Sequence, residues 1–222
     1  MTEQFPTDWS HAVIVVAHPD DPEYGIAHAV SQWTREGRRV SYLLLTSGEA
    51  GIQGMEPAEC GPLREEEQRR AGMHVGVTDI EFLGLPDSRL SDVDDLAGKV
   101  AEALTRYADA DLIVCSYRGP EYAPGIPNQP DHIVTGEATV AAVAGRDLWV
   151  FEAGPDGTDH VDVDEQDVAA AVASLAEHRV YLEVLDPDTP VIEQARAQVD
   201  RVTDRSAGSP RISLGLVHAA GK

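Results

Sequence analysis

Lysine is nearly absent: Lys99 and Lys222 are the two in 222 residues, and arginine supplies the remaining positive side chains. Against 17 basic residues stand 39 acidic ones, a net charge of −22. Such a field repels nucleic acid and anionic membranes, and no basic patch interrupts it. The acidity reads as a solvated surface. No stretch approaches the roughly 20 apolar residues of a membrane-spanning helix. Residues 1–10 lack a basic region and a long apolar run, so no signal peptide is expected and the expected compartment is the cytoplasm. The two cysteines, Cys60 and Cys115, are far apart and outside any C-x-x-C, so both are expected to be free thiols. No G-x-G-x-x-G follows the first apolar run, which counts against a dinucleotide-dependent dehydrogenase. The G-x-S-x-G of a serine nucleophile elbow is missing as well.

What the chain does have is an alternation of apolar β-branched runs with helical patterns, the signature of a mostly parallel sheet covered on both faces. Strands are expected at 13–17, 40–46, 79–83, 112–115 and 148–151, a short surface strand around Val161 and Val163, and a last one at 212–217. Helices are expected at 23–36, 63–75, 93–107, 131–144, 167–185 and 191–205, with loops at 47–62 and 116–129 rich in Gly and Pro. Loops of that length are often functional. The acidic stretch 159–164 lacks the glycine and closing glutamate of an EF-hand. The expected fold is α/β, a Rossmann-like three-layer domain spanning residues 1–222 with no linker to divide it.

The first strand runs straight into Ala17-His18-Pro19-Asp20-Asp21-Pro22-Glu23. An open α/β sheet places its chemistry in the crevice beyond its strand ends, and here that position holds a histidine and two aspartates. His18 and Asp21 offer the nitrogen and oxygen that suit zinc, while Asp20 between them is free to handle a proton. The alternative is a simple turn, with Pro19 fixing φ and the aspartates capping the next helix. A second cluster, Asn128-Gln129-Pro130-Asp131-His132, again stands before a helix and offers His132 as a third ligand. An open site with three protein ligands keeps a fourth position for water and lowers its pKa towards ~7.

These residues resemble the AHPDDxE signature of the LmbE-like (PIG-L) zinc-dependent de-N-acetylases. The likeness extends through Leu45-Thr46-Ser47-Gly48-Glu49, the helix Arg64-x-x-Glu67-x-x-x-Ala71, and Phe82-Leu83-Gly84-Leu85-Pro86-Asp87, over roughly residues 11 to 150. It implies one zinc ion per chain on His18, Asp21 and His132, Asp20 as general base, and Arg64 and Asp87 at positions that contact sugar hydroxyls. It implies a small amino-sugar substrate, with no nucleic-acid or membrane partner. Oligomeric state is left open, as is zinc against iron. Gln129 departs from the family, whose members mostly carry a histidine there. A glutamine can donate a hydrogen bond to an oxyanion but cannot deliver a proton, so Asp20 is expected to return it, with Tyr117 and Tyr122 as alternatives.

Other positions keep two readings. Asp131 orients a neighbouring ligand, caps its helix, or does both. Glu23 orders its loop through backbone N–H groups or is a first-turn acid favoured by the helix dipole. Arg64 and Asp87 have a surface ion pair or turn role as their alternative, and His178 on an apolar stripe reads as structural. The expected activity is hydrolysis of an N-acyl group, most simply acetyl on an N-acetylglucosamine-type sugar. The alternatives are a non-catalytic metal- or sugar-binding protein and an amidase of thiol conjugates.

Overall fold

A computed structural model of the chain describes residues 3–221; Met1 and Thr2, within the N-terminal expectation, and Lys222 lie outside it. The strands are β1 (Glu3–Gln4), β2 (His11–Val16), β3 (Arg39–Leu44), β4 (Asp79–Phe82), β5 (Leu112–Ser116), β6 (Glu121–Ala123), β7 (Ile126–Pro127), β8 (Trp149–Ala153), β9 (Asp159–Asp162) and β10 (Arg211–His218). The helices are α1 (Asp21–Gly25), α2 (Ala27–Arg35), α3 (Pro57–His74), α4 (Leu96–Leu104), α5 (Pro130–Ala142), α6 (Glu165–Leu175), α7 (Arg179–Leu185) and α8 (Val191–Val202). Eight strands make one sheet in the order β1-β9-β10-β8-β5-β2-β3-β4, and β6 and β7 form a separate hairpin. From β8 to β4 every pairing is parallel, whereas β10 runs antiparallel to both β8 and β9.

Alternation along β2 builds the three layers, because successive side chains of a strand face opposite ways. Ile14 and Val16 join Trp33 of α2, Leu175 of α6 and Val199 of α8 on one face. Val13 and Val15 join Val100 and Leu104 of α4 and Ala138 of α5 on the other. The chain leaves β2 towards β3 on one side and later fills β5 on the other. The C-terminal ends of β2 and β5 therefore flank the topological switch point, where open sheets bind ligands. No helix among the described residues is long and apolar enough to cross a membrane.

Several expected elements are divided or shifted. The helix over 23–36 is two, α1 and α2, parted at Ile26, whose φ of −137° is not helical. The helix over 167–185 is also two, α6 and α7. Asp164 starts α6 with a capping box, and Glu67 accepts the Val180 N–H at 2.8 Å in the first turn of α7. The apolar stripe of Leu175 and Leu182 runs through the break, so periodicity alone reads one helix. The loop expected over 47–62 ends sooner, since α3 begins at Pro57. A proline is tolerated in a first turn because its missing N–H would lack a partner there anyway. Cys60 thus sits buried in α3, donating to Gly48 O at 3.4 Å, and both cysteines are free thiols. The helix over 93–107 shortens to α4 with 3₁₀ turns at Leu90–Asp92 and Thr105–Tyr107. The Val161 strand is not at the surface: β9 lies inside the sheet between β1 and β10, with Val161 and Val163 buried.

His28 of α2 is 1 % exposed, and neither ring nitrogen has a hydrogen-bond partner. Burial, with a smaller push from Arg205, lowers its pKa to about 4. In the unfolded chain a histidine titrates near 6.5. The folded state therefore resists protonation, and stability present above pH 6.5 is lost as pH falls towards 4. Linkage puts the loss at about 2 kcal/mol by pH 5. His28→Leu removes the titration at similar volume. Its melting temperature, relative to the parent, is expected to rise by about 4–8 °C more at pH 5 than at pH 8. Parallel pH profiles of the two proteins would refute this.

Candidate active site at the sheet switch point

Beyond β2, the Asp21 carboxylate folds back on its own strand end, and its Oδ2 accepts the N–H groups of Ala17 at 3.1 Å and His18 at 2.8 Å. The first turn of α5 brings His132 across from the β5 side. His132 Nε2 lies 3.0 Å from Asp21 Oδ1 and 3.2 Å from His18 Nδ1, and His18 Nδ1 lies 3.6 Å from Asp21 Oδ2. Ligands about 2.05 Å from a tetrahedral ion are about 3.3 Å from one another, from the usual zinc–nitrogen and zinc–oxygen lengths. The separations, which reach Asp21 through both of its oxygens, are near that size, and one donor atom from each residue lies within 4.8 Å of the others, so His18, Asp21 and His132 can hold a divalent metal.

The ring nitrogens that point away from this triangle fix its tautomers. His18 Nε2 faces Asp87 Oδ1 at 3.1 Å and Asp131 Oδ2 at 3.4 Å, both acceptors, so it is the nitrogen that donates and Nδ1 is the one that would ligate a metal. Asn128 does the same for His132. Its Nδ2 donates to Tyr117 O and Gly119 O, both at 2.8 Å, which turns Oδ1 towards His132 Nδ1 at 3.2 Å. Although burial lowers an imidazole pKa, Asp131, Asp21 and Asp87 hold His18 well above the usual range, and Asp21 raises His132. Burial raises the Asp21 carboxyl, but the two rings outweigh it and hold Asp21 well below the carboxylate range. The pocket stabilises positive charge at its centre, which fits a cation.

Asp20 is 5 % exposed and adopts φ +90°, the left-handed region that costs a non-glycine residue about 1–3 kcal/mol. Burial pushes its carboxyl up to about 6, against the pull of Arg64. Arg64 is also buried: Nη2 donates to Pro19 O at 2.7 Å and lies 3.3 Å from Asp20 Oδ1, and Nη1 donates to Gly48 O at 3.0 Å. Asp87, besides holding His18, accepts from Ala50 N at 2.8 Å. Both terminal nitrogens of Arg64 and both oxygens of Asp87 are engaged with the protein, although the buried Arg64 Nε has no partner, and neither residue is the surface pair that local reading allowed.

The remaining sequence candidates also have definite places. Asp131 Oδ1 accepts from Leu90 N at 3.2 Å, and Asp131 is not the cap of α5, because Gln129 holds that position. Gln129 is exposed. Glu23 does stand in the first turn of α1, but it is buried and orders no loop through backbone N–H groups. It is 1 % exposed, and its carboxylate takes side-chain donors: Gln68 at 3.1 Å, and Ser174 and His178 at 3.3 Å. Tyr122, on the β6–β7 hairpin, has its hydroxyl 3.0 Å from His132 Nδ1, while Tyr117 donates to Asp156. Sequence reasoning assigned nothing to Asn128 or Gln68. Each stands four residues from a site residue on or beside a helix, Asn128 before His132 and Gln68 after Arg64, the spacing of one helical face.

Comparison with known proteins finds relatives in both sequence and fold. The family model described as PIG-L, GlcNAc-PI de-N-acetylase, matches residues 13–143. A protein of Bacillus anthracis named probable N-acetyl-alpha-D-glucosaminyl L-malate deacetylase 2 is 30% identical over 140 residues, 60% of this chain and 59% of that protein. The chain therefore spans about three-fifths of the length of that relative. Among solved structures, N,N'-diacetylchitobiose deacetylase from Pyrococcus horikoshii superposes with a TM-score of 0.80 at 17% identity, covering 95% of this chain and 84% of that one. A 4-carboxy-2-hydroxymuconate hydratase from Pseudomonas putida also shares the fold, with a TM-score of 0.64 at 16% identity over 96% and 98% of the two chains. The fold thus hosts more than one reaction. With the family model covering more than half of its residues, including the whole His18–Asp21 turn and His132, the chain belongs to the PIG-L family.

Proposed function

We propose that this protein is a zinc-dependent amide hydrolase that removes the N-acetyl group from an N-acetylglucosamine-type amino sugar, with one ion held by His18, Asp21 and His132. The observation that carries the reading is the triangle of those three ligand atoms with a buried carboxylate, Asp20, in the same turn. A bound divalent ion there supplies Lewis-acid polarisation of the amide carbonyl and eases deprotonation of water. The chain's own residues do the rest. Asp20, with Oδ1 beside Arg64, accepts the proton of the attacking water on its carboxylate and returns it to the departing amine, leaving acetate and a free amino sugar. Gln129, exposed at the start of α5 three residues before His132, is assigned to offer its side-chain N–H to the developing oxyanion. Asp131 and Asp87 keep His18 in the ligating tautomer. We assign Arg64 to holding Asp20 rather than to sugar hydroxyls.

The curated relative's name supports the substrate class. The net charge of −22 favours a small neutral sugar over a nucleic acid or an anionic membrane. Two free, buried cysteines support the cytoplasm, and residues 1–222 are taken as one domain.

Elemental analysis of the purified protein and of His132→Ala, both prepared without added metal, tests this. About one zinc per chain in the parent and none in the variant is expected, with acetate released from N-acetylglucosamine, N,N'-diacetylchitobiose or N-acetylglucosaminyl malate by the parent alone. A parent that stays empty after zinc is supplied would sink the reading. Metal binding without acetate release would leave the non-catalytic alternative. Release from acylated thiol conjugates only would make it an amidase of those.

A further inference from the structure

Pro19 O and Asp20 N are the two ends of one peptide unit, and α3 grips both. Arg64 Nη2 donates to Pro19 O at 2.7 Å, and Asp20 N donates to Gln68 Oε1 at 2.8 Å. Arg64 and Gln68 are one helical turn apart, so their side chains leave the same face of α3. Between them the plane of that peptide is held at the orientation that gives Asp20 its φ of +90°. An aspartate does not adopt this φ unless its surroundings over-determine it.

The grip depends on which way the Gln68 amide faces, and the structure fixes that too. Gln68 is 0 % exposed, and its Nε2 donates to both oxygens of Glu23 at 3.1 Å. The Asp20 backbone N–H can only donate, so the amide oxygen must face Asp20, which leaves the amide nitrogen facing the Glu23 oxygens. Glu23 is itself held by His178 Nε2 and Ser174 Oγ, each at 3.3 Å, and both of those residues are fully buried. This also accounts for the break between α6 and α7: it sits at His178, the residue that turns inward to Glu23.

We propose that Gln68, oriented by Glu23, is a positioning residue that sets the Asp20 carboxylate for proton transfer by clamping the Pro19–Asp20 peptide together with Arg64. The inference rests on the deacetylase reading for its consequence, though not for its geometry. Without the clamp, Asp20 relaxes about its N–Cα bond to negative φ. The carboxylate then spends little of its time where it can take a proton. The metal ligands keep their own supports: Asp87 and Asp131 hold His18, Asn128 holds His132, and the Ala17 and His18 N–H groups hold the Asp21 carboxylate.

Gln68→Met tests it. Acetate release is expected to fall about 10–10²-fold in kcat, part of the ~10²–10⁴-fold that general acid–base help supplies. KM should stay within about twofold and bound zinc should match the parent, a split that a general loss of structure would not produce. In an Asp20→Ala background the same substitution should cost nothing further, because it acts through Asp20. A crystal structure of Gln68→Met should show Asp20 at negative φ. Asp20 still near +90° in that structure, or an equal loss in the Asp20→Ala background, overturns the clamp. Should Gln68→Met fail to fold, Glu23→Gln decides the matter. It lets the Gln68 amide turn over and should lower kcat at constant KM; unchanged kcat would count against the proposal. If the parent releases no acetate at all, the functional reading has failed, and Asp20 φ in parent and variant crystals still judges the clamp.

Discussion

Replacing Asp20 with alanine is expected to lower acetate release about 10²–10⁴-fold, the usual worth of a positioned acid or base, with bound metal retained. Three features single it out from the other carboxylates of the site. Asp21 is tied to two backbone amides and His132, and Asp87 and Asp131 are tied to His18, so none of these is free to carry a proton. Asp20 has one oxygen beside Arg64, and its carboxyl, raised to about 6 chiefly by burial, is a better base than a solvated one yet ionised at neutral pH. Gln129 has no proton to give, so the proposed mechanism has Asp20 both take and return it. Asp20→Asn preserves shape and the Arg64 contact while abolishing proton transfer, and should fall nearly as far as the alanine variant. Turnover surviving in both variants, measured as acetate per chain with zinc quantified in the same samples, would remove Asp20 from the mechanism.

The fold was legible because its β-strands are short apolar runs separated by helical patterns, and the parallel sheet follows from that alternation. The misread elements share a physical cause. At Ile26 and at residues 176–178 the apolar face continues on both sides of the break, and what divides the helix is a tertiary requirement. Gln198 takes the Tyr24 carbonyl at 3.0 Å after α1, and Glu23 takes the His178 ring between α6 and α7. Such partners lie more than a hundred residues away in sequence, and no window of local periodicity contains them. The strand at Val161 looked superficial because aspartates alternate with its valines, yet pairing with β10 along residues 159–162 brings it into the sheet.

The site divides along the same line. His18, Asp20 and Asp21 fall within one turn of chain, where proline and carboxylate chemistry can be read directly. His132 required a second motif of the same kind at a loop-to-helix junction. The residues that orient these groups act on backbone atoms or through another side chain. Gln68 accepts a single N–H, and Asn128 turns one amide against two carbonyls. A lone glutamine or asparagine carries no composition signal. Arg64 and Asp87 are the intermediate case, since the family resemblance gives their positions but not that the Arg64 terminal nitrogens and the Asp87 oxygens bond to the protein.

That placement predicts a large structural cost for Arg64→Ala. The guanidinium is 3 % exposed and lies 4.5 Å from the centroid of the Tyr181 ring. A side chain on Gly48, which has φ +64°, or on Gly51 would put its Cβ 2.2 Å from Arg64 Nη1, so the loop between β3 and α3 is shaped around this one cation. Truncation leaves Pro19 O without its donor and the buried Asp20 carboxylate without its arginine partner, while Gly48 O keeps Gly51 N and Cys60 Sγ. Removing one partner of a buried pair costs about 3–5 kcal/mol, which for a chain of this size lowers the melting temperature by roughly 6–20 °C. Lysine restores the charge but, as a point donor, cannot span both carbonyls, so Arg64→Lys should recover only part of the loss. An arginine whose task was to touch sugar hydroxyls would behave otherwise: KM would rise while stability stayed within about 0.5 kcal/mol of the parent. Thermal unfolding of the two variants, read beside their KM, separates these roles. A melting temperature unchanged in Arg64→Ala would return the residue to the substrate side of the site.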